Sequence, residues 1–218
     1  MSNNNAAREE IFAKVRSALK SFSGSRLSPL PDSARFAPRS AEALDKEIDR
    51  MLTEVTRLSG QARKIHGQDE FAGALEALVK TEGVKTVVLS DHPLYGDYGV
   101  VDLLQRFGVT IVSSDSDRRR LAECDLGITV PDAALPETGT SLLRTTQGQP
   151  DVLSLLPRVH LVLATPEVLL TDMHQAFAMA KGDRHFVLVS GSSRTADIEK
   201  VLTLGVHGPK SFHVWICD

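Results

Sequence analysis

Hydrophobic positions recur at helical spacing in residues 6–20 (AAREEIFAKVRSALK), where Ala7, Ile11, Val15, Ala18 and Leu19 share one narrow face. The pattern predicts an amphipathic helix. Residues 21–40 then hold three prolines, six serines and one glycine, a composition that sustains neither helix nor central strand and reads as a linker. Residues 1–40 are therefore expected to form an arm, and residues 41–218 the folded domain.

The stripe Leu44, Ile48, Met51, Leu52, Val55, Leu58 predicts a helix over 41–59, with Gly60 as the residue that stops it. Beyond it, short apolar runs alternate with helical patterns. The runs lie at 84–90, 109–112, 126–130, 140–145, 159–165, 185–190 and 212–217, and the helices near 69–81, 99–107, 116–123, 167–180 and 195–204. Near-continuous β-branched runs separated by helices indicate strands buried on both faces, so the expected fold class is α/β, an open and mostly parallel sheet flanked by helices. Ligands in such folds collect at the carboxyl ends of strands. That rule selects Ser90-Asp91-His92, residues 131–141, Thr165-Pro166 and Ser190–Thr195 as candidate loops.

Composition narrows the function classes. The chain has 218 residues, 42 % hydrophobic and 24 % charged, which fits an ordinary globular domain and excludes disorder and disulfide scaffolds. The net charge of −3 gives no basic surface for nucleic acid. Arg118-Arg119-Arg120, the one dense basic run, stands beside Asp115 and Asp117 and reads as a solvated helix face before an anion patch. No stretch reaches the ~18 consecutive apolar residues of a membrane span, and Met-Ser-Asn-Asn-Asn lacks the form of a signal peptide, so a cytoplasmic location is expected. Cys124 and Cys217 are far apart and belong to no CxxC or Cys/His cluster, so no metal site and no iron–sulfur cluster is expected on this chain by itself. None of the seven histidines forms an HxH or HExxH pair, and His160, His185 and His213 sit in or beside apolar runs as structural residues.

Three segments could carry chemistry. In PDAALPETGTSLLR (131–144), Gly139 permits close backbone approach, and Thr138 and Thr140 offer hydroxyls to carboxylate or phosphate oxygens. Glu137 there is either a general base or nucleophile, if desolvated, or a solvated turn residue. In SGSSRTADIE (190–199) the order strand, Gly191-Ser192-Ser193 turn, Arg194, Thr195 and helix start resembles an anion-binding loop, with a capped turn and an Arg194 salt bridge as the other reading. It has neither a Walker lysine nor GxGxxG spacing. In GVHGP (205–209), Gly205 stops a helix, Gly208-Pro209 turns the chain, and His207 either exchanges a proton near pH 6–7 or bonds to backbone.

Taken together and in this order, PETGT, SLLP (154–157) before VHLVLAT, SGSSRTADIE and GVHGP resemble the LUD-domain family typified by lactate-utilisation protein C, as does the opening REEIFAKVRSAL. The likeness covers nearly the whole chain and is strongest over 125–217. Two departures stand out: Ser192 where the family turn has proline, and Pro136 before Glu137 where it has a small residue. The resemblance implies a fold like that of ribose-phosphate isomerases, CoA transferases and formyltetrahydrofolate cyclo-ligases. It also implies a part in oxidising L-lactate to pyruvate alongside iron–sulfur partner proteins. On that reading Arg194 pairs a small carboxylate or phosphate-bearing ligand, Thr138 and Thr140 orient it, and Glu137 or His207 moves a proton. The ligand lies between Thr138-Gly139-Thr140 and Gly191–Arg194, with Thr195 and Gly208 alongside. The alternatives are a stand-alone CoA-transferase-like or nucleotide-dependent enzyme using Glu137, and a non-catalytic assembly module. The apolar arm slightly favours a homodimer or heteromeric complex.

Overall fold

In a computed structural model of the chain, residues 3–21, 38–182, 185–196, 202–204 and 208–218 are described. Most of the expected linker, together with Asp197, Gly205 and His207, lies outside them. The chain divides into two compact units, Met1–Ala37 and Pro38–Asp218. The first holds helix α1 (Asn3–Ser21), on which Ile11, Phe12, Val15 and Leu19 are exposed and the Arg8 guanidinium lies 5.3 Å from the Phe12 ring centre.

The second unit is organised by a six-stranded parallel sheet in the order β1-β11-β7-β4-β2-β3. Its strands are β1 (Gln61–Ile65), β2 (Thr86–Leu89), β3 (Thr110–Val112), β4 (Leu126–Thr129), β7 (Val159–Ala164) and β11 (Ser211–Cys217). The central strands are apolar on both faces because helices cover both. On one face α3 (Gly67–Glu82), α4 (Leu94–Asp97) and α5 (Val100–Arg106) bury Phe71, Leu75, Tyr95 and Leu104 against Leu126, Ile128, Leu161 and Trp215. On the other, α2 (Leu44–Arg57) sets Ile48, Met51 and Val55 on Val162, Phe212, Val214 and Ile216. Beside it α6 (Arg118–Ala122) and α7 (Val152–Leu155) place Leu121 and Leu153 against Val88 and Val112. The Arg118–Arg120 run forms α6, capped by the Asp117 side chain, which accepts from the Arg119 and Arg120 amides.

Several expectations change. Gly60 is not the left-handed stop of α2. Ser59 takes that conformation (φ 67°), its amide donates to Thr56 O, and the Gly60 amide reaches back to Val55 O, closing a Schellman-type cap. β1, with sequence QARKI, is an additional strand with no signal in the apolar pattern, because an edge strand with exposed charges lacks an apolar run. The expected helix over 167–180 is shortened. Pro166 opens a single 3-10 turn (Pro166–Val168), Leu169 and Leu170 bridge to Ala134, and only then does Asp172 cap α8 (Met173–Met179) through the Gln175 amide.

The run at 185–190 does not join the parallel sheet. It forms β8 (Phe186–Val189), antiparallel to β6 (Thr140–Arg144), in a second sheet of order β5-β6-β8 completed by β5 (Ala133–Leu135). Of the expected helix over 195–204, residues 197–201 lie outside the described residues, and the ends are instead the antiparallel strands β9 (Arg194–Ala196) and β10 (Leu202–Leu204). β-branched Thr195 and Thr203 stand opposite each other in that register, a pairing that favours strand over helix.

His160, in β7, is fully buried, with Nε2 2.8 Å from Thr129 Oγ1 and its ring 5.5 Å from that of Phe212. Burial, reinforced by the neighbouring His213, lowers its pKa to about 3. The folded protein therefore keeps His160 neutral while the unfolded chain protonates it below about pH 6.5. This contribution to stability is complete above that pH and is lost as pH falls toward 3. Denaturant titrations at pH 8 and pH 5 should differ by about 2 kcal/mol from this residue alone. His160→Gln should remove that increment; an unchanged pH slope in the variant would assign it elsewhere.

Candidate functional site

β5 and β6 form a hairpin whose tip is Pro136-Glu137-Thr138-Gly139, closed by the Thr138 amide on Leu135 O at 3.3 Å. The tip rests on α2. Gly139 has φ +61°, and a Cβ there would stand 2.9 Å from Val55 N and 3.1 Å from Glu54 C, so the position requires glycine on two independent grounds. Gly139→Ala is expected to cost about 2–3 kcal/mol, measurable as a lower denaturation midpoint, because neither the turn nor the helix backbone can yield without losing contacts.

From the tip a row of hydroxyls runs inward. Thr138 Oγ1 lies 2.7 Å from Thr140 Oγ1, which lies 2.7 Å from Ser190 Oγ at the end of β8. Two segments fifty residues apart in sequence are thus joined through side chains. The chain continues through Gly191, buried Ser192 and Ser193, whose amide donates to Pro209 O (3.0 Å) and whose side chain lies against Gly208. Arg194 Nη2 donates to Leu58 O at the carboxyl end of α2. Leu58, Leu188, Ser190, Gly191, Ser192 and Arg194 line a cavity of about 340 Å³.

Thr138-Gly139-Thr140, Gly191–Arg194 and Gly208 are therefore neighbours, and Thr195 follows in β9. Glu137 is exposed at the hairpin tip, within electrostatic range of the Arg39 guanidinium. The location differs from the expected one. α2 leads through Gly60 into the start of β1, and Pro209 precedes β11, so the cavity lies toward the amino edge of the parallel sheet. The 190–195 segment follows a strand of the smaller antiparallel sheet, which is why the carboxyl-edge rule misplaces it. Thr195 lies in strand β9, so no helix N-terminus at that residue supports an anion; among the described residues Arg194 and the hydroxyls are candidate donors. The guanidinium also offsets the partial negative charge of the α2 carbonyl terminus.

Of the carboxyl-edge candidates, Ser90 is tied up by Tyr95 (Oγ to Oη, 2.7 Å), and the Asp91 amide donates to Gly148 O. Thr165 and Pro166 line a separate cavity of about 520 Å³ with Tyr98 and Asp218. Leu58 and Leu188 were not legible as cavity residues: each reads as part of an apolar pattern. Arg39, read as linker, is anchored instead. It makes a two-pronged pair with Glu47 (2.8 and 2.7 Å) and donates to Thr171 O, and its hydrogen bonds hold the Glu47 carboxyl below its usual range.

An iron–sulfur cluster is held by four thiolates or, in the Rieske type, by two neighbouring thiolates and two imidazoles. The two cysteines lie in separate core clusters, and burial raises both thiols, Cys217 up to about 12. This donor set does not fit a cluster. Among the described residues no group of three His, Cys, Asp or Glu could hold a metal ion, and no helix is long and apolar enough to cross a membrane.

The sequence model of the LUD domain matches residues 48–217, which include both segments of the cavity. The chain belongs to the LUD domain family. This LUD domain is 34 % identical to Lactate utilization protein C of Bacillus pumilus over 180 residues, 71 % of this chain and 74 % of the relative. It is 29 % identical to the protein of the same name from Shouchella clausii over 201 residues, 84 % and 86 % of the two chains. Among solved structures, a DUF162 family protein from Deinococcus radiodurans superposes with a TM-score of 0.60 at 16 % identity. That match covers 82 % of this LUD domain and all of the other chain, and supports the fold.

Proposed function

We propose that this LUD domain is a component of an L-lactate utilisation system, supporting the oxidation of L-lactate to pyruvate together with iron–sulfur partner proteins. The observation that carries the reading is the similarity, over most of both chains, to proteins named Lactate utilization protein C. The oxidation removes two electrons and two protons from the substrate. With two buried thiols and no cluster-forming donor set, this chain leaves the electrons to its partners. Its own contribution is to hold a small carboxylate or phosphate-bearing ligand beside Arg194, with Ser190, Ser192, Ser193, Thr138 and Thr140 as hydroxyl partners and Glu137 or His207 exchanging a proton. The hydroxyl row from Thr138 to Ser190 supports this assignment because it links the hairpin tip to the cavity. A stand-alone enzyme using Glu137 as covalent nucleophile is the other reading; the carboxylate is exposed at the hairpin tip, so in either role a bound ligand would have to desolvate it.

The direct genetic test is growth. Native cells lacking this chain should fail on L-lactate as sole carbon source, grow normally on pyruvate, and recover when the chain is restored. Normal growth on L-lactate without it would contradict the proposal.

A further inference from the structure

We propose that the open edge of β8 docks a second copy of this chain, strand antiparallel to strand about a two-fold axis at Val187. β8 is the outer strand of the order β5-β6-β8, and among the described residues no strand pairs its other side. The register with β6 sets Leu143 opposite Val187 and Ser141 opposite Val189, and the Thr145 amide donates to His185 O. In an antiparallel ladder, hydrogen-bonded pairs alternate with non-bonded ones. Val187 and Val189 therefore turn their amides and carbonyls toward β6, while Phe186 and Leu188 turn theirs outward.

Exposed strand edges are normally guarded by charges, prolines or bulges. β1, at one edge of the parallel sheet, follows that practice with Arg63 and Lys64. β8 does not: residues 185–193 (HFVLVSGSS) contain no Asp, Glu, Lys, Arg or Pro. Beside the edge, Leu188 is 36 % exposed and Phe177 50 % exposed, with the Phe177 and Phe186 rings 6.1 Å apart. An apolar flank thus accompanies the unpaired backbone.

Charge and register together select the second copy as occupant. A strand bearing charge would find no counter-charge along 185–193, whereas two copies meet with none to oppose them. The segment Phe186-Val187-Leu188 is also self-complementary about its centre. Phe186 of each copy falls opposite Leu188 of the other in hydrogen-bonded pairs, giving four backbone hydrogen bonds and two aromatic–aliphatic contacts across the strands. The two Val187 residues form the central non-bonded pair, whose Cα atoms approach to about 4.5 Å. The three-stranded sheets of the two copies then become one continuous six-stranded sheet.

Light scattering on the full-length chain over a concentration series is expected to give twice the 23.7 kDa monomer mass. Leu188→Pro removes an outward N–H that β6 does not use, and Leu188→Lys places a charge on the edge; both should run as monomers with the parent's circular dichroism. Val187→Cys should form a disulfide-linked dimer on oxidation, since both native cysteines are buried. A monomeric parent at about 100 µM, well above the Kd range of stable dimers, would overturn the proposal. So would a dimer that survives both Leu188 changes and gives no Val187→Cys cross-link, because such a dimer uses another surface.

Discussion

Gly127→Ala is expected to destabilise the folded domain by about 3 kcal/mol or more, leaving little folded protein at 37 °C. Gly127 is in β4, at the centre of the parallel sheet, and a Cβ there would stand 2.2 Å from Leu153 O and 3.0 Å from Pro157 Cγ. No real Cβ sits that close to a carbonyl oxygen. The obstacle is backbone, so rotamer changes cannot relieve it; α7 would have to lift away from the sheet. That movement would open the cluster of Val88, Val112, Leu121, Cys124 and Leu153, whose dense packing has no slack to absorb it. Thermal or urea denaturation of the purified variant checks this, and a midpoint within a degree of the parent would show that α7 does not bear on β4 as described. Leu153→Ala in the Gly127→Ala background should recover little, because the blocking atom belongs to the main chain.

Glu137→Gln and Arg194→Ala are each expected to lower lactate-dependent function by about 10²-fold without lowering protein abundance. The two changes act differently. Glu137 is exposed on the hairpin tip, so replacing its carboxylate with an amide should leave stability within about 0.5 kcal/mol. Arg194 also donates to Leu58 O, so its truncation loses one helix-capping hydrogen bond as well as the cationic partner for an anion. Arg194→Lys separates these roles. It keeps the charge but not the planar fork, and should retain more function than alanine while remaining below the parent. The readout is growth on L-lactate together with the amount of soluble protein in the same cells. Full growth of both variants at parental abundance would remove this cavity from the proposed function.

The pattern of apolar runs made the central sheet legible because its strands are covered on both faces: VHLVLAT and FHVWIC could be little else. The same reasoning failed where one side of an element is open. QARKI pairs with β11 along its whole length, with the Arg63 guanidinium over the Trp215 ring, and its charges, suited to an edge, erase the strand signal. HFVLV reads as a buried parallel strand, yet it is an outer strand of the smaller sheet, since apolar content does not report which neighbour a strand chooses. Arg194-Thr195-Ala196 opens a segment with a capping pattern, yet pairs as strand β9. At the candidate site the sequence names segments and carries no sign of which of them lie together. PETGT and SGSSR stand out separately in the sequence for their hydroxyls and glycines. That Thr140 and Ser190 touch, and that both lie near the carboxyl end of α2, follows from the β6–β8 register and the Gly139 contact, neither of which has a local signature.

The central claim is that this LUD domain works with partners that carry the redox chemistry, and the most direct measurement is affinity purification of the tagged chain from its native cells grown on L-lactate. The eluate is assayed for iron and for dye-linked oxidation of L-lactate. The expected result is iron-bearing partners with lactate-dependent dye reduction, both missing from the chain purified alone. An eluate that contains only this chain, with neither iron nor activity, would contradict the claim.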